Sequence, residues 1–181
     1  MKFSKILLGT ALCASVSTAA VAATQGTTGA TSTGTLDVQV TVLEELKVSN
    51  LANITLGTYV AGGGNLQVED QFCIFYNNSN DISLTLTSTN GTAPAYAMIN
   101  GADTIPYTVD FQADADTPGP YAAHNSGDTV AYTVFANAAN DDCTTIGGPT
   151  SAIRATLVDT GSPLPVANGI YTDTITVVVA P

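Results

Sequence analysis

Leu36-Asp37-Val38-Gln39-Val40-Thr41-Val42 alternates apolar and polar side chains without a break. Successive side chains of an extended strand point to opposite faces. Leu36, Val38, Val40 and Val42 therefore form one apolar face, and Asp37, Gln39 and Thr41 the other. The same period recurs in Ile82/Leu84/Leu86 against Ser83/Thr85/Thr87, in Ile105/Tyr107/Val109/Phe111 and in Ile175/Val177/Val179.

Working outward, strands are predicted over 36–42 (with a run on to 48 or a bend at 43–46), 54–60, 66–76, 82–88, 96–99, 105–111, 130–136, 152–158 and 170–179. Their residues are mostly β-branched or aromatic, which suits a pleated, half-buried surface. Between them stand turn signals such as Gly62-Gly63-Gly64, Asn90-Gly91, Asn100-Gly101, Pro118-Gly119-Pro120 and Gly147-Gly148-Pro149. No stretch carries a helical period, and there is no internal repeat. Many short strands at this spacing predict an all-β sandwich forming a single domain over residues 35–181. Residues 24–34, TQGTTGATSTG, have no apolar period and read as a flexible polar leader.

Residues 1–23 stand apart. Lys2 and Lys5 precede a short apolar run, and Val21-Ala22-Ala23 ends in small residues, the pattern of a secretory signal peptide cleaved after Ala23. The run is shorter than the ~20 residues of a spanning helix, so no membrane insertion is expected. Cleavage leaves Lys47 and Arg154 as the only Lys or Arg against fifteen Asp and Glu. So acidic a chain is a poor partner for nucleic acid, whose phosphates need cations. Export also places Cys73 and Cys143 in an oxidising space, where a bond between them is expected; two separate buried thiols are the alternative.

The residues for catalysis are few. His124 is the single histidine and reads as a solvated loop residue; Ser126 nearby does not make a triad. No G-x-S-x-G, HExxH or phosphate loop occurs. Asp110, Asp114 and Asp116, and the Asn140-Asp141-Asp142 group, offer oxygen ligands but not the order of a calcium loop. No enzyme, no cofactor and no metal is expected.

Two ends of the chain look familiar. Thr33-Gly34-Thr35-Leu36-Asp37-Val38-Gln39-Val40-Thr41-Val42 resembles the N-terminal segment of archaic chaperone–usher pilus subunits. Gly169-Ile170-Tyr171-Thr172-Asp173, running into Ile175-Thr176-Val177-Val178-Val179, resembles the closing G-x-Y-x-D strand of the spore coat protein U family, to which those subunits belong. Leu56-Gly57-Thr58-Tyr59 and Ile105-Pro106-Tyr107 are similar to shorter elements of that family, while Leu43 to Ser49 lacks the cysteine many members carry there.

The resemblance implies an immunoglobulin-like sandwich lacking one strand. A neighbouring subunit would complete it with Leu36, Val38, Val40 and Val42, received beside Tyr171, Ile175, Val177 and Val179. It also implies sister pilin subunits joined head to tail, a periplasmic chaperone, an outer-membrane usher, and a place in an extracellular surface fibre serving adhesion or biofilm formation. Two alternatives stay open at this point. Leu36 to Val42 is the first strand of a complete domain, or the protein is a monomeric secreted module that binds carbohydrate or calcium.

Overall fold

The computed structural model describes residues 23–78, 81–113, 120–132, 140–144 and 148–181. The expected signal peptide, Asp114, Asp116 and part of the strand expected over 130–136 lie outside the described residues. The chain divides into two units, residues 1–42 and residues 43–181.

The larger unit is an all-β sandwich of two antiparallel sheets. Its strands are β1 (Leu46–Ser49), β2 (Leu66–Tyr76), β3 (Ile82–Ser88), β4 (Tyr96–Asn100), β5 (Asp103–Gln112), β6 (Ala122–His124), β7 (Thr129–Tyr132), β8 (Ser151–Leu157) and β9 (Ile175–Ala180). One sheet runs β1-β2-β8-β5-β4, with β6 also on β5; the other runs β7-β3-β9. Every pairing between named strands is antiparallel.

The alternation read from sequence sets the inner faces. Phe72, Ile74 and Tyr76 of β2, Val109 and Phe111 of β5, and Ile153 and Ala155 of β8 pack against Ile82, Leu84 and Leu86 of β3. Phe72 and Phe111 are both fully buried, with tilted rings 6.3 Å apart. Each large side chain taken from water there contributes roughly 1.5–3 kcal/mol. Cys73 and Cys143 are bonded. The bridge ties β2 to the turn at residues 140–144, whose Asp141 and Asp142 in turn hold Lys47, Ser49 and Asn50.

Three expectations are corrected. Residues 54–60 form no strand: Asn53 to Thr58 make no backbone hydrogen bond with another described residue, because no neighbouring strand runs beside them. The closing strand begins at Ile175 rather than at residue 170, with Thr172 held before it by an isolated bridge to Ile99. His124 is not solvated. It ends β6, a strand the sequence hid between two loop signals, and is buried with Nδ1 2.9 Å from the Asn125 carbonyl and 3.3 Å from the Tyr96 hydroxyl. The turn after it is drawn inward, since Ser126 Oγ accepts from the Ser88 amide and the Gly127 amide donates to Leu86.

Side chains hold the unpaired stretch after β1 at both ends. Asp70 accepts the Ala52 amide at 2.8 Å. At the far end, Asp159 accepts the Gly64 and Gly161 amides and faces the Tyr59 hydroxyl, each at 2.8 Å. Gly64, with φ of 95°, occupies a conformation that a side chain would strain. These donors, the Gly64 amide first, lower the Asp159 pKa to about 2.

Replacing both cysteines by serine is expected to lower the unfolding free energy by about 4 kcal/mol, because the bridge closes a long loop in the unfolded chain. Urea titration of the double variant checks this, and an unchanged midpoint would contradict it. For Asp159, a depressed folded pKa means stabilisation that is fully present above the unfolded value of 3.8 and lost as pH falls from there towards about 2. Asp159→Asn should therefore lower Tm at pH 7 and flatten the acid limb of a Tm-against-pH profile between about pH 4 and 2.

Candidate functional site: an apolar groove beside the last strand

The two sheets do not cover their core evenly. On β3, Ile82, Leu84 and Leu86 are buried to 2%, 0% and 0% exposure. On β9, the neighbour of β3, Ile175, Val177 and Val179 point the same way by register, yet stay half-buried. Among the described residues no strand pairs with the other edge of β9. One layer of cover is missing along that edge.

The gap is an open groove of about 1290 Å³. Ile54 and Leu56, from the unpaired stretch after β1, line it together with Ile175 and Val177 of β9. Tyr107, Ile153 and Ala155, side chains of the core itself, also reach its surface. The groove thus offers apolar side chains together with two stretches of unpaired backbone, at 53–58 and along β9. Strand edges whose backbone groups have no protein partner are a template for pairing with an added strand.

The Gly169, Tyr171 and Asp173 pattern builds one end of this groove. Tyr171 donates to the Ala167 carbonyl at 2.7 Å, and Asp103 accepts the Ala167 amide at 2.9 Å. A Cβ on Gly169 would stand 2.0 Å from Asn100 Nδ2, so any larger residue there would have to displace the Asn100 side chain. Asp173 Oδ2 accepts from the Ser88 hydroxyl at 2.5 Å and from Tyr107 at 2.7 Å, and Oδ1 accepts the Asn90 amide at 3.1 Å. One carboxylate therefore joins the entry to β9 with the end of β3 and with β5. Burial, and then the Asp173 hydrogen bond, push the Tyr107 phenol well above its ordinary value, so it stays a neutral donor. The motif that was legible in sequence acts here through hydrogen bonds rather than through chemistry on a ligand.

Of the expected receiving residues, Tyr171, Ile175 and Val177 line the groove; Val179 packs against the core further along β9. The sequence did not single out Ile54, Leu56, Ile153 or Ala155 as part of a site. An apolar residue facing a groove reads no differently from one facing a closed core.

In the other unit, Leu36, Val38, Val40 and Val42 are 72%, 89%, 83% and 78% exposed, and no described strand pairs with them. Contiguous exposed apolar side chains of this kind mark an interaction surface or an aggregation hazard. The polar leader before them is closed by a reciprocal pair of backbone bonds between Thr24 and Thr35, each 3.0 Å.

Lys47 and Arg154 are each paired with a carboxylate. Arg154 donates to Asp110 from Nε and a terminal nitrogen, and lies 3.9 Å from the Tyr121 ring centroid. Lys47 pairs with Asp141 at 2.7 Å. Asp142 accepts from Thr144, which lowers its pKa. The oxygen ligands considered for calcium at Asp110, Asp141 and Asp142 are thus engaged by the protein itself. Among the described residues no three His, Cys, Asp or Glu side chains come together as a metal site.

No protein-family model matches the chain, and no curated protein matches it. Solved structures do. The chain resembles a protein of a chaperone–tip adhesin complex described as vital for CFA/I fimbriae biogenesis, with a TM-score of 0.54 at 12% identity. The match covers 75% of this chain and 41% of that one, so the chain spans about two-fifths of the protein it resembles. A second is a point mutant of the CFA/I adhesin CfaE of enterotoxigenic E. coli, with a TM-score of 0.44 at 10% identity over 74% of this chain and 47% of that one. The first likeness concerns the architecture: the β-sandwich of this chain shares its fold with part of a protein in that chaperone–tip adhesin complex.

Proposed function

We propose that this protein is a subunit of a chaperone–usher surface fibre whose groove is filled by the segment 36–42 of another copy. The observation that carries the reading is the match between two unfinished surfaces. The groove beside β9 lacks one strand and exposes core side chains. The segment 36–42 carries a strand's apolar–polar alternation but belongs to no sheet, and its four apolar side chains are in the open. Adding it to the edge of β9 would pair backbone groups and cover Ile175 and Val177 in one step, a form of strand addition.

The energy scale is adequate. Burying Leu36, Val38, Val40 and Val42 contributes roughly 6–12 kcal/mol before ordering costs, at about 1.5–3 kcal/mol for each side chain. Ordering seven backbone residues takes back a large part, at about 1–2 kcal/mol each. The ladder bonds and the relief of two unpaired edges make up the difference. A contact that uses one surface to give and a different one to receive does not close on itself, so repetition makes a fibre.

The fimbrial fold supports the reading, as does the Cys73–Cys143 bridge, which suits an exported protein. A chaperone is the natural holder of such a subunit before assembly, since the groove alone would aggregate. Assignment to the archaic, spore coat protein U branch rests on the Gly169, Tyr171 and Asp173 pattern and on the Leu36 to Val42 alternation. On this reading the protein acts at the cell surface in adhesion or biofilm formation, with an usher as its second assembly partner.

The test uses the chain from residue 24 onward. V38D/V40D places two carboxylates on the apolar face of the segment and leaves the sandwich intact. The unaltered protein is expected to form concentration-dependent oligomers in sedimentation, and the double variant to remain monomeric. A synthetic peptide of residues 35–43 should then raise the Tm of the variant by several degrees. An unchanged oligomer distribution, together with no shift on adding peptide, would overturn the reading.

A further inference from the structure

The groove has two potential donors, the chain's own segment 36–42 and that of another copy. We infer that the junction Leu43-Glu44-Glu45 acts as a block against self-insertion and reserves the groove for a second copy; this rests on the reading that the segment 36–42 fills the groove. Two observations carry it, one on how the junction is held and one on how far the chain reaches.

The junction continues the pairing of β1 beyond the strand. Leu46 stands opposite Tyr76 and Ser49 opposite Cys73. One step earlier, the Asn77 amide donates to the Glu45 carbonyl at 3.1 Å, and the Glu45 amide donates to Asn77 Oδ1 at 2.9 Å. The Asn77 side-chain nitrogen donates to the Leu43 carbonyl at 2.8 Å. The Glu44 carboxylate accepts from the Tyr76 hydroxyl and from Asn78 Nδ2. All three junction residues are thus fastened to the end of β2. To send residues 36–42 back along β1, this stretch must let go and form a tight turn. Leu-Glu-Glu has none of the Gly, Asn or Asp that supplies the left-handed position of a short hairpin loop.

Reach gives the second argument. A three-residue turn at 43–45 sets Val42 opposite Leu46, Val40 opposite Val48 and Leu36 opposite Ala52. The apolar segment is then used up before it meets Ile54 and Leu56. What would lie beside those residues is the polar leader, with Gly34 opposite Ile54 and Ser32 opposite Leu56. In its own groove the chain presents the wrong residues; a segment from another molecule has no such limit and can slide to the register that buries its four apolar side chains.

A flexible insert separates the two cases. Placing about 12 Gly/Ser residues between Val42 and Leu43 gives a mean span of about 20 Å. The inserted chain, from residue 24 onward, is compared with the unaltered one by sedimentation and by binding of a labelled 35–43 peptide. The unaltered protein is expected to oligomerise. The inserted one should become a monomer with a higher, concentration-independent Tm and should refuse the peptide. Two outcomes overturn the inference alone: the inserted chain assembles like the unaltered one and still takes peptide, or the unaltered chain is already a peptide-refusing monomer that V38D/V40D makes receptive. If no form of the protein takes the peptide, the inference falls together with the reading beneath it.

Discussion

An unpaired backbone edge beside half-covered core side chains is the constraint on which this structure turns. A sandwich is stable when both sheets bury their inner faces and every ladder group finds a partner. Here β3 meets that condition with Ile82, Leu84 and Leu86, while β9, one step outward, does not. The stretch after β1 is held open at its two ends by Asp70 and Asp159 rather than by a neighbouring strand. Among the described residues of the larger unit, β9 is therefore an edge strand beside an open apolar groove.

The carboxylates have a consistent part in this arrangement. Asp159 and Asp173 each collect three donors and join segments far apart in sequence. Asp110 pairs with Arg154 and Asp141 with Lys47. In a chain with few Lys or Arg, short acidic side chains serve as acceptors for backbone amides and phenols, a use that needs no counter-charge. Such bonds at partly wet positions contribute modestly one by one, and the solvent-screened Lys47–Asp141 pair adds little. Their effect is to place loops rather than to supply the bulk of the stability.

Much of the fold was legible in the sequence. Period-two alternation locates β3, β5 and β9 because each of these strands has a more buried face and a wetter one. It fails where pairing, not pattern, decides the outcome. Residues 54–60 carry strand-like side chains but have no neighbour, and 36–42 carry the clearest pattern of all without joining a sheet. The buried His124 and Ser126 were hidden because Asn125 and Gly127 beside them are ordinary turn residues, and only the tertiary bonds to Pro94, Ser88 and Leu86 draw that turn inward. Of the groove, the β9 side could be read from the closing motif. The contributions of Ile54, Ile153 and Ala155 could not, since side-chain alternation does not tell an open surface from a closed one.

The bridge between Cys73 and Cys143 has a mechanical meaning if subunits are strung end to end. Tension on residue 42 enters the sandwich at Leu43, meets the Asn77 and Glu44 bonds, and passes into the four-residue ladder of β1 on β2. Beside that ladder, Lys47, Ser49 and Asn50 grip the turn at residues 141–142, which the sulfurs fasten back onto β2. The four-residue strand β1 is thus backed by a covalent crosspiece at the point where a pulling force would first reach the sheet.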